Sequence, residues 1–224
     1  PFNCDFCDIV LMYGNKPRTK SIEQFLGELT KLNRLGWKGS IFVVDDNFLS
    51  HKKKVMILLK ALISWQKEHN YPFNFITQTS IDIVDNKELL KLMRDAFFTY
   101  IFIGFETTNK DSLKECGKYH NILRNYKEVV EIIHRYGMQV MGGFIIGFDN
   151  DKNDIFQQQI DIIQNTGMTQ AMISMLNAIP NTKLWHKLKK EGRLLEGPTG
   201  QNTDGTINFL TKIDSKILRQ GYCK

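Results

Sequence analysis

The stretch EVVEIIHRYGMQVMGGFIIGFDN, residues 128–150, contains two kinds of apolar spacing in succession. Val129 and Ile133 recur at the period of one helical face, and Gly137 suits the end of that helix. A run that is apolar on both faces follows at 140–148, as in a strand that is covered on both sides. The stretch therefore predicts a helix packed against a buried strand.

The same order, an amphipathic helix and then an apolar strand, recurs along the rest of the chain. Apolar strands separated by such helices favour an α/β fold with a parallel sheet that is covered by helices. A further helix is expected after the last strand, at 184–190. The strands are predicted at 41–44, 73–77, 100–105, 140–148 and 171–176.

The composition changes after residue 195. Residues 196–208 are rich in Gly, Thr, Asn and Pro, which is typical of a loop or linker. We therefore expect a barrel domain over 1–195. Residues 196–224 are expected to form a linker and the start of an incomplete C-terminal extension.

Composition narrows the class of protein. Of the 224 residues 42% are apolar, which is enough for a core without disulfides, and four cysteines are too few for a disulfide framework. A reducing compartment, the cytoplasm, is expected. No apolar run approaches the roughly 18 residues that span a bilayer. The net charge is +6, but the short basic runs at 16–20 and 52–54 lack interleaved aromatic residues, so nucleic-acid binding is not expected.

Polar residues follow all the predicted strands. Because the carboxyl ends of parallel strands meet at one edge of a sheet, these residues are expected to line a common ligand site. Asp46 and Glu106 stand out, since each directly follows an apolar run. Asn86 and Asp151 are instead expected to be helix caps.

Cys4-Asp5-Phe6-Cys7 is a CxxC motif on a loop. The motif alone is compatible with half a zinc site, a redox dithiol, or two of the three ligands of an iron–sulfur cluster. Cys116 and Cys223 lack the partner spacing that a zinc site needs. The barrel pattern downstream disfavours a thioredoxin-like site.

The stretch PFNCDFC, residues 1–7, resembles the CxxxCxxC loop of radical S-adenosylmethionine (SAM) enzymes without its first cysteine. The resemblance extends over nearly the whole chain and is greatest for the cobalamin-binding-domain class. It implies a partial (β/α)6 TIM-like barrel whose first strand is truncated. It also implies a third cysteine just before Pro1. The other matching segments are 37–39, 44–48, 102–107, 142–149, 178–184, 191–194 and 206–209.

By this resemblance, Cys4 and Cys7 ligate a [4Fe-4S] cluster whose open iron binds SAM, and reductive cleavage of SAM yields a 5′-deoxyadenosyl radical. Asp46 is the first choice for the SAM ammonium group. Asn150 departs from the glutamate of the family's G-x-I-x-G-x-x-E pattern, which puts a loop-ordering role at that position in doubt. The residues expected to contact SAM are Phe6, Asp45, Asp46, Asn47, Ser80, Glu106, Gly143, Ile145, Gly147, Asn177 and Ala178.

The resemblance implies a cobalamin-dependent enzyme that acts on a small organic or lipid-like molecule, with C-methylation as one outcome. An external electron donor such as a flavodoxin or ferredoxin would reduce the cluster. Two alternatives remain open at this point. One is a radical SAM tRNA methylthiotransferase, and the other is a non-catalytic barrel that serves as a scaffold.

Overall fold

The computed structural model describes residues 2–195 and 205–223. Its sheet has five strands, all parallel and in the order in which they occur along the chain. They are β1 (Gly39–Val43), β2 (Phe73–Thr79), β3 (Phe98–Glu106), β4 (Gln139–Ile146) and β5 (Gln170–Met175). The sheet curls into a half-barrel, so the predicted strands and the parallel α/β class are confirmed.

Helices cover the outer face of this half-barrel. Short helices at the carboxyl ends of the strands, which the apolar periodicity did not predict, lie among them. The helices are α1 (Ile9–Tyr13), α2 (Ile22–Arg34), α3 (Lys52–Glu68), α4 (Lys87–Asp95), α5 (Lys110–Glu115), α6 (Tyr119–Ile122), α7 (Tyr126–Arg135), α8 (Ile155–Thr166), α9 (Lys183–Lys190) and α10 (Ser215–Tyr222), with a 3-10 turn at Ile81–Asp85.

The main core lies between the sheet and the outer helices. Along β2 the burial alternates, and Phe73 and Phe75 point outward into this core. Leu59 and Leu62 of α3 and Met93 of α4 meet them there, fully buried. The opposite, inner side of each strand is less buried and faces the barrel interior, which leaves room for a ligand.

One of the two predicted helix caps is confirmed, because the Asn86 side chain accepts from Leu89 N–H at the start of α4. At the start of α2, Ser21 and Gln24 form a reciprocal capping box. The prediction that Asp151 caps a helix is wrong, because α8 begins after Asp154. Asp151 binds the turn before that helix instead.

The segment after residue 204 packs back onto the half-barrel. An antiparallel bridge joins Leu194 to Phe209, and Phe209 is buried against Leu176 and Leu188. The predicted linker at 196–208 lies mainly outside the described residues. None of the helices within 2–195 and 205–223 is both long and apolar enough to cross a bilayer.

Candidate functional site

A cavity of 540 Å³ opens at the carboxyl ends of the strands. One side of it is polar and the other is apolar. Seven of the predicted contact residues line it, namely Phe6, Asp46, Asn47, Ser80, Glu106, Gly143 and Ile145. The remaining lining residues are Phe2, Gln78, Thr79, Phe102, Gly104, Lys118, His120, Phe144, Met172, Ile173 and Ser174.

The cysteine loop forms a tight turn at the rim of this cavity. Cys7 N–H donates to the carbonyl of Cys4 at 3.1 Å, and both flanking phenylalanines, Phe2 and Phe6, line the cavity. Cys4 is buried, with 8% of its surface exposed, and Cys7 is half-buried. The turn therefore presents two sulfur donors beside the space that a bound ligand would occupy.

Distant parts of the chain hold this loop in place. Asp5 N–H donates to the carbonyl of Cys116 at 3.0 Å, and Leu184 N–H donates to the carbonyl of Asp5 at 2.9 Å. The ammonium of Lys183 adds an ion pair to the Asp5 carboxylate at 3.3 Å. The loop is thus fixed between the end of α5 and the start of α9.

The donor set of the loop fits two corners of an iron–sulfur cluster. Burial raises the pKa of the Cys4 thiol to about 11, and burial also raises the pKa of Cys7. Both thiols are therefore protonated when no metal is bound. A soft cation such as iron displaces their protons when it binds. Within residues 2–195 and 205–223, no three His, Cys, Asp or Glu side chains come together as metal ligands.

Glu106 reaches the cavity from a strained turn at the end of β3. Its backbone has a φ of 66°, in the left-handed region that residues with a side chain rarely adopt, and the register with β4 shifts at this point. Asn121 donates to the carbonyls of Gly104 and Phe105, and Tyr126 donates to those of Phe105 and Thr107. These bonds hold the turn in a conformation that aims the carboxylate inward.

Lys118 pairs with Glu106 inside the cavity wall. Only 14% of the lysine side chain and 10% of the glutamate side chain are exposed. Burial is the largest single influence and lowers the pKa of Lys118, but the Glu106 carboxylate together with Cys4 and Cys116 outweighs burial and raises that pKa above its ordinary value. The lysine is therefore cationic, and it also lies near enough to Cys4 to favour a negative charge there.

Asp46 and Asn47 form the polar rim opposite this pair. The Asn47 amide donates to the Ser80 hydroxyl at 3.2 Å, and its oxygen accepts from Ser80 N–H at 3.3 Å. These bonds join the exits of β1 and β2. The Asp46 carboxylate points to solvent at the cavity mouth, and its pKa is raised by partial burial and by neighbouring Asp45.

Asp45 lies one step outside the main cavity. It lines a neighbouring groove of 370 Å³ together with Lys16 and Arg18, and this groove shares Asp46 and Asn47 with the cavity. Asp45 also orders its own loop, because its carboxylate accepts from Asn47 N–H at 3.0 Å. The structure therefore brings Asp45 close to the site without placing it on the cavity wall.

The apolar wall depends on a glycine of β4. A Cβ added at Gly143 would lie 2.7 Å from Cζ of Phe102, so the Phe102 ring occupies the space that glycine leaves. Ile145, two residues on, lies half-buried on the same wall. Larger side chains at position 143 would push the aromatic ring into the cavity.

Three predicted contact residues lie behind the cavity. Gly147, with a φ of 103°, packs toward Ile207 and Leu218 of the C-terminal segment. The peptide of Ala178 is engaged by Asn208, whose side-chain oxygen accepts from Ala178 N–H at 2.8 Å and whose amide donates to Ala178 C=O at 2.9 Å. Asn177 donates to the carbonyl of Met175 at 3.3 Å. The described structure uses these positions to attach the C-terminal segment.

Asp151 orders the turn after β4. Its carboxylate accepts from Gly147 N–H at 2.9 Å, from Phe148 N–H at 3.1 Å and from the Ser112 hydroxyl at 2.9 Å. The glutamate that the pattern places at position 150 is absent, and Asp151, one residue later, orders this loop. Burial raises the pKa of this carboxyl to about 6, although all three hydrogen bonds act in the opposite direction.

Sequence reasoning missed Lys118, His120 and Phe102. The signal for Lys118 was indirect: a carboxylate at the exit of a buried strand needs a cation or donors, and the sequence does not say which lysine folds over it. His120 stacks on Phe2, with ring centroids 3.8 Å apart, and burial lowers its pKa to about 4. Phe102 was counted as a strand residue and was not recognised as part of the cavity wall.

Comparisons with known proteins agree with this geometry. The family model described as the radical SAM superfamily matches residues 1–161, and a model described as a domain of unknown function (DUF4070) matches residues 182–224. An uncharacterized methyltransferase of Synechocystis sp. is 44% identical over 94% of this chain and 39% of its own length. The hopanoid C-2 methylase of Rhodopseudomonas palustris is 35% identical over 100% of this chain and 42% of its own length.

A solved structure shares the fold. The radical SAM methyltransferase TsrM of Kitasatospora setae, solved with cobalamin and a [4Fe-4S] cluster, superimposes with a TM-score of 0.73 at 12% identity, over 99% of this chain and 44% of its own. The chain thus spans less than half the length of these relatives. Since one family model covers most of its residues, the chain belongs to the radical SAM superfamily.

Proposed function

We propose that this chain is the catalytic half-barrel of a cobalamin-dependent radical SAM methyltransferase that acts on a small organic or lipid-like molecule. One observation carries the proposal: a turn with one buried and one half-buried cysteine lies at the rim of a 540 Å³ cavity that is polar on one side and apolar on the other. The names of the two relatives, a methyltransferase and a methylase, support methyl transfer over other radical outcomes.

Cys4 and Cys7 would hold two irons of the cluster, and a further thiolate would hold a third. When bound, the cluster and SAM together supply a carbon-centred radical, and cobalamin supplies a methyl group. The protein's part is to position and to enclose. Phe6 covers one side of the cavity, and the residues of the polar rim donate to and accept from a polar cofactor.

Charge is distributed to suit a zwitterionic cofactor. Asp46 at the mouth provides a carboxylate for an ammonium group, because a charge-assisted hydrogen bond is stronger than a neutral one. Glu106 and Lys118 provide an acceptor and a cation on the opposite wall. The apolar wall around Phe102 and Ile145 is left for an adenine ring or for the substrate.

The alternatives have less support. The relatives at 44% and 35% identity are a methyltransferase and a methylase, whereas a putative methylthiotransferase of Methanocaldococcus jannaschii is 22% identical, which disfavours a tRNA methylthiotransferase. A non-catalytic scaffold would not need two cysteines beside a cavity with a buried ion pair. We further propose a cytoplasmic location, reduction by a flavodoxin or ferredoxin, and a division of the chain into a barrel at 1–195 and the start of a C-terminal extension at 196–224.

The test is anaerobic reconstitution of the full-length protein with iron and sulfide. The native protein should become brown, bind SAM and, on reduction, cleave it to methionine and 5′-deoxyadenosine. Cys4→Ala and Cys7→Ala should each abolish the cluster absorbance and the cleavage. The measurements are iron content, electron paramagnetic resonance and chromatography of the cleaved nucleoside.

Cys223→Ala is the matched control, since Cys223 is an exposed cysteine far along the chain. It should keep full iron content and activity. Equal iron binding by the Cys4→Ala and Cys223→Ala proteins would overturn the assignment of the ligands. A brown protein that never cleaves SAM would overturn the proposed chemistry.

A further inference from the structure

The amino-end face of the half-barrel, opposite the cavity, carries a row of exposed aromatic side chains. Trp37, Tyr71 and Phe97 lie in the loops that lead into β1, β2 and β3, with 52%, 46% and 48% of their surfaces exposed. Gly39 pairs with Phe73 in the sheet, so Trp37 and Tyr71, each two residues earlier, enter neighbouring strands at the same level. Rings of Tyr71 and Phe97 are 5.8 Å apart. The three aromatic residues therefore lie in the loops that enter three neighbouring strands.

The backbone holds the rings of Tyr71 and Phe97 outward in strained conformations. Tyr71 has a φ of 52° and Phe97 a φ of 73°, both in the left-handed region that bulky residues avoid. Hydrogen bonds fix both turns, from Tyr71 N–H to Gln66 C=O at 2.7 Å and from Phe97 N–H to Arg94 C=O at 2.9 Å. The rings stand on rigid turns, and the row has a defined shape in the free protein. We call Trp37, Tyr71 and Phe97 the aromatic row.

Basic residues surround the aromatic row. They come from the last turns of the helices that precede the strands and from the loop into β1, and all are exposed. The acidic residues at this level are Glu68 and Asp95, and Asp95 already pairs with Arg94. The excess charge is therefore positive. The basic residues are Lys31, Arg34, Lys38, Lys67, Arg94 and Arg135.

We propose that this amino-end face docks on the surface of a bilayer that contains anionic lipids, with the aromatic row in the headgroup region. Trp and Tyr rings favour the membrane–water interface, and each basic residue near the surface adds about 1 kcal/mol of attraction to anionic lipid. No described helix spans a bilayer, and the row would bind at the surface only. In this orientation the cavity, at the other end of the barrel, faces the aqueous phase.

Charge argues against a second copy of the chain as the occupant. A two-fold contact through this face would bring like charges together at close range. A single-stranded nucleic acid needs a groove that follows its backbone, whereas the aromatic row consists of exposed side chains on the loops that enter the strands. An anionic membrane surface matches both the rings and the charge. This inference does not depend on the proposed methyl transfer.

The test is co-sedimentation of the full-length protein with two kinds of vesicle, phosphatidylcholine alone and phosphatidylcholine mixed with phosphatidylglycerol. We expect binding to the anionic vesicles and little binding to the neutral ones. The triple variant Trp37→Ser, Tyr71→Ser, Phe97→Ser should weaken the vesicle binding by about tenfold or more. Arg34→Glu and Lys38→Glu should each weaken it by about fivefold or more, and added salt should weaken it further.

Two variants serve as matched controls. Ile57→Ser removes an exposed apolar side chain from the flank of α3, and Lys127→Glu reverses a charge at the other end of α7. Both should bind vesicles like the native protein. A brominated lipid should quench the fluorescence of Trp37, and the quenching should disappear in Trp37→Phe, which keeps an aromatic ring.

Several results would overturn the proposal. Absence of vesicle binding, or equal losses in the row and control variants, would show that this face does not bind lipid. A dimer in sedimentation velocity that the triple variant dissociates would assign the face to a second copy. Binding to a single-stranded oligonucleotide that depends on the same residues would assign it to nucleic acid.

Discussion

Two buried carboxylates, at the exits of neighbouring strands, have different roles. Glu106, after β3, projects from a left-handed turn into the cavity, where a cation, Lys118, neutralises it. Asp151, after β4, turns away from the cavity and is held by two backbone N–H groups and the Ser112 hydroxyl. The first is arranged to meet a ligand, and the second builds the loop.

The difference teaches how to interpret a polar strand exit. Both residues look alike in the sequence, since each follows an apolar run that ends in small or acidic residues. They differ in their partners: a single lysine leaves the Glu106 carboxylate with acceptor capacity for a ligand, whereas three donors occupy most of the capacity of the Asp151 carboxylate. The following substitutions test whether Glu106 serves ligand binding and Asp151 serves the structure of its loop.

The largest effect is expected for Lys118→Met. This change leaves the Glu106 carboxylate buried without its cation, which typically costs about 3–5 kcal/mol in the free energy of unfolding. The double variant Glu106→Gln, Lys118→Met should recover most of that stability and still bind SAM poorly. Urea unfolding and equilibrium dialysis with SAM provide the two measurements.

Recovery of both stability and SAM affinity in the double variant would mean that the ion pair has no role in ligand binding. An unchanged stability in the single variant would mean that Glu106 is satisfied without Lys118.

The next effect concerns the pH dependence of stability. Because the pKa of the Asp151 carboxyl is near 6 in the folded protein and near 4 when unfolded, the folded state holds this proton more tightly. The contribution of Asp151 is therefore fully present below about pH 4 and is lost as the pH rises to about 6, by up to about 3 kcal/mol. In Asp151→Asn, which keeps the shape of the side chain, this slope should disappear.

The comparison is made between the two urea-unfolding curves as a function of pH, so that carboxylates common to both proteins cancel. Parallel curves over this range would show that Asp151 titrates normally. SAM affinity should be the same in both proteins, because Asp151 does not line the cavity.

The smallest effect is expected for Ser112→Ala. This change removes one of the three hydrogen bonds to Asp151 and should cost about 1 kcal/mol of stability. SAM affinity should not change. A loss of SAM affinity larger than the loss of stability would place the β4 turn in the binding site and would contradict the distinction between the two exits.

The sheet was predictable because burial follows local spacing. Each strand is a short apolar run between two amphipathic helices, and such a pattern allows few other folds. The rim of the site was predictable for the same reason, since Asp46, Ser80 and Glu106 directly follow their strands. Contacts between residues that are distant in the sequence were not predictable. Lys118 folds over Glu106 from a short helix, and Asn208 reaches Ala178 from 30 residues away.

Contacts that the sequence did not predict have a physical explanation as well. Gly147 and Ala178, which the resemblance assigns to the cofactor, also lie against the C-terminal segment in the structure. Asp151 was expected to be a cap because aspartate before a helix often is one. Its three donors come from the turn after β4 and from α5, which meet only in the folded protein, and sequence spacing does not encode that contact.

The anchoring of the cysteine loop has a consequence for the order in which the protein matures. Asp5 is held by Cys116 on one side and by Leu184 on the other, so the loop gains its shape only after most of the chain has been synthesised and folded. Iron delivered before that point would meet a flexible pair of thiols. If Cys4 and Cys7 hold the cluster as proposed, its insertion should therefore follow the folding of the barrel.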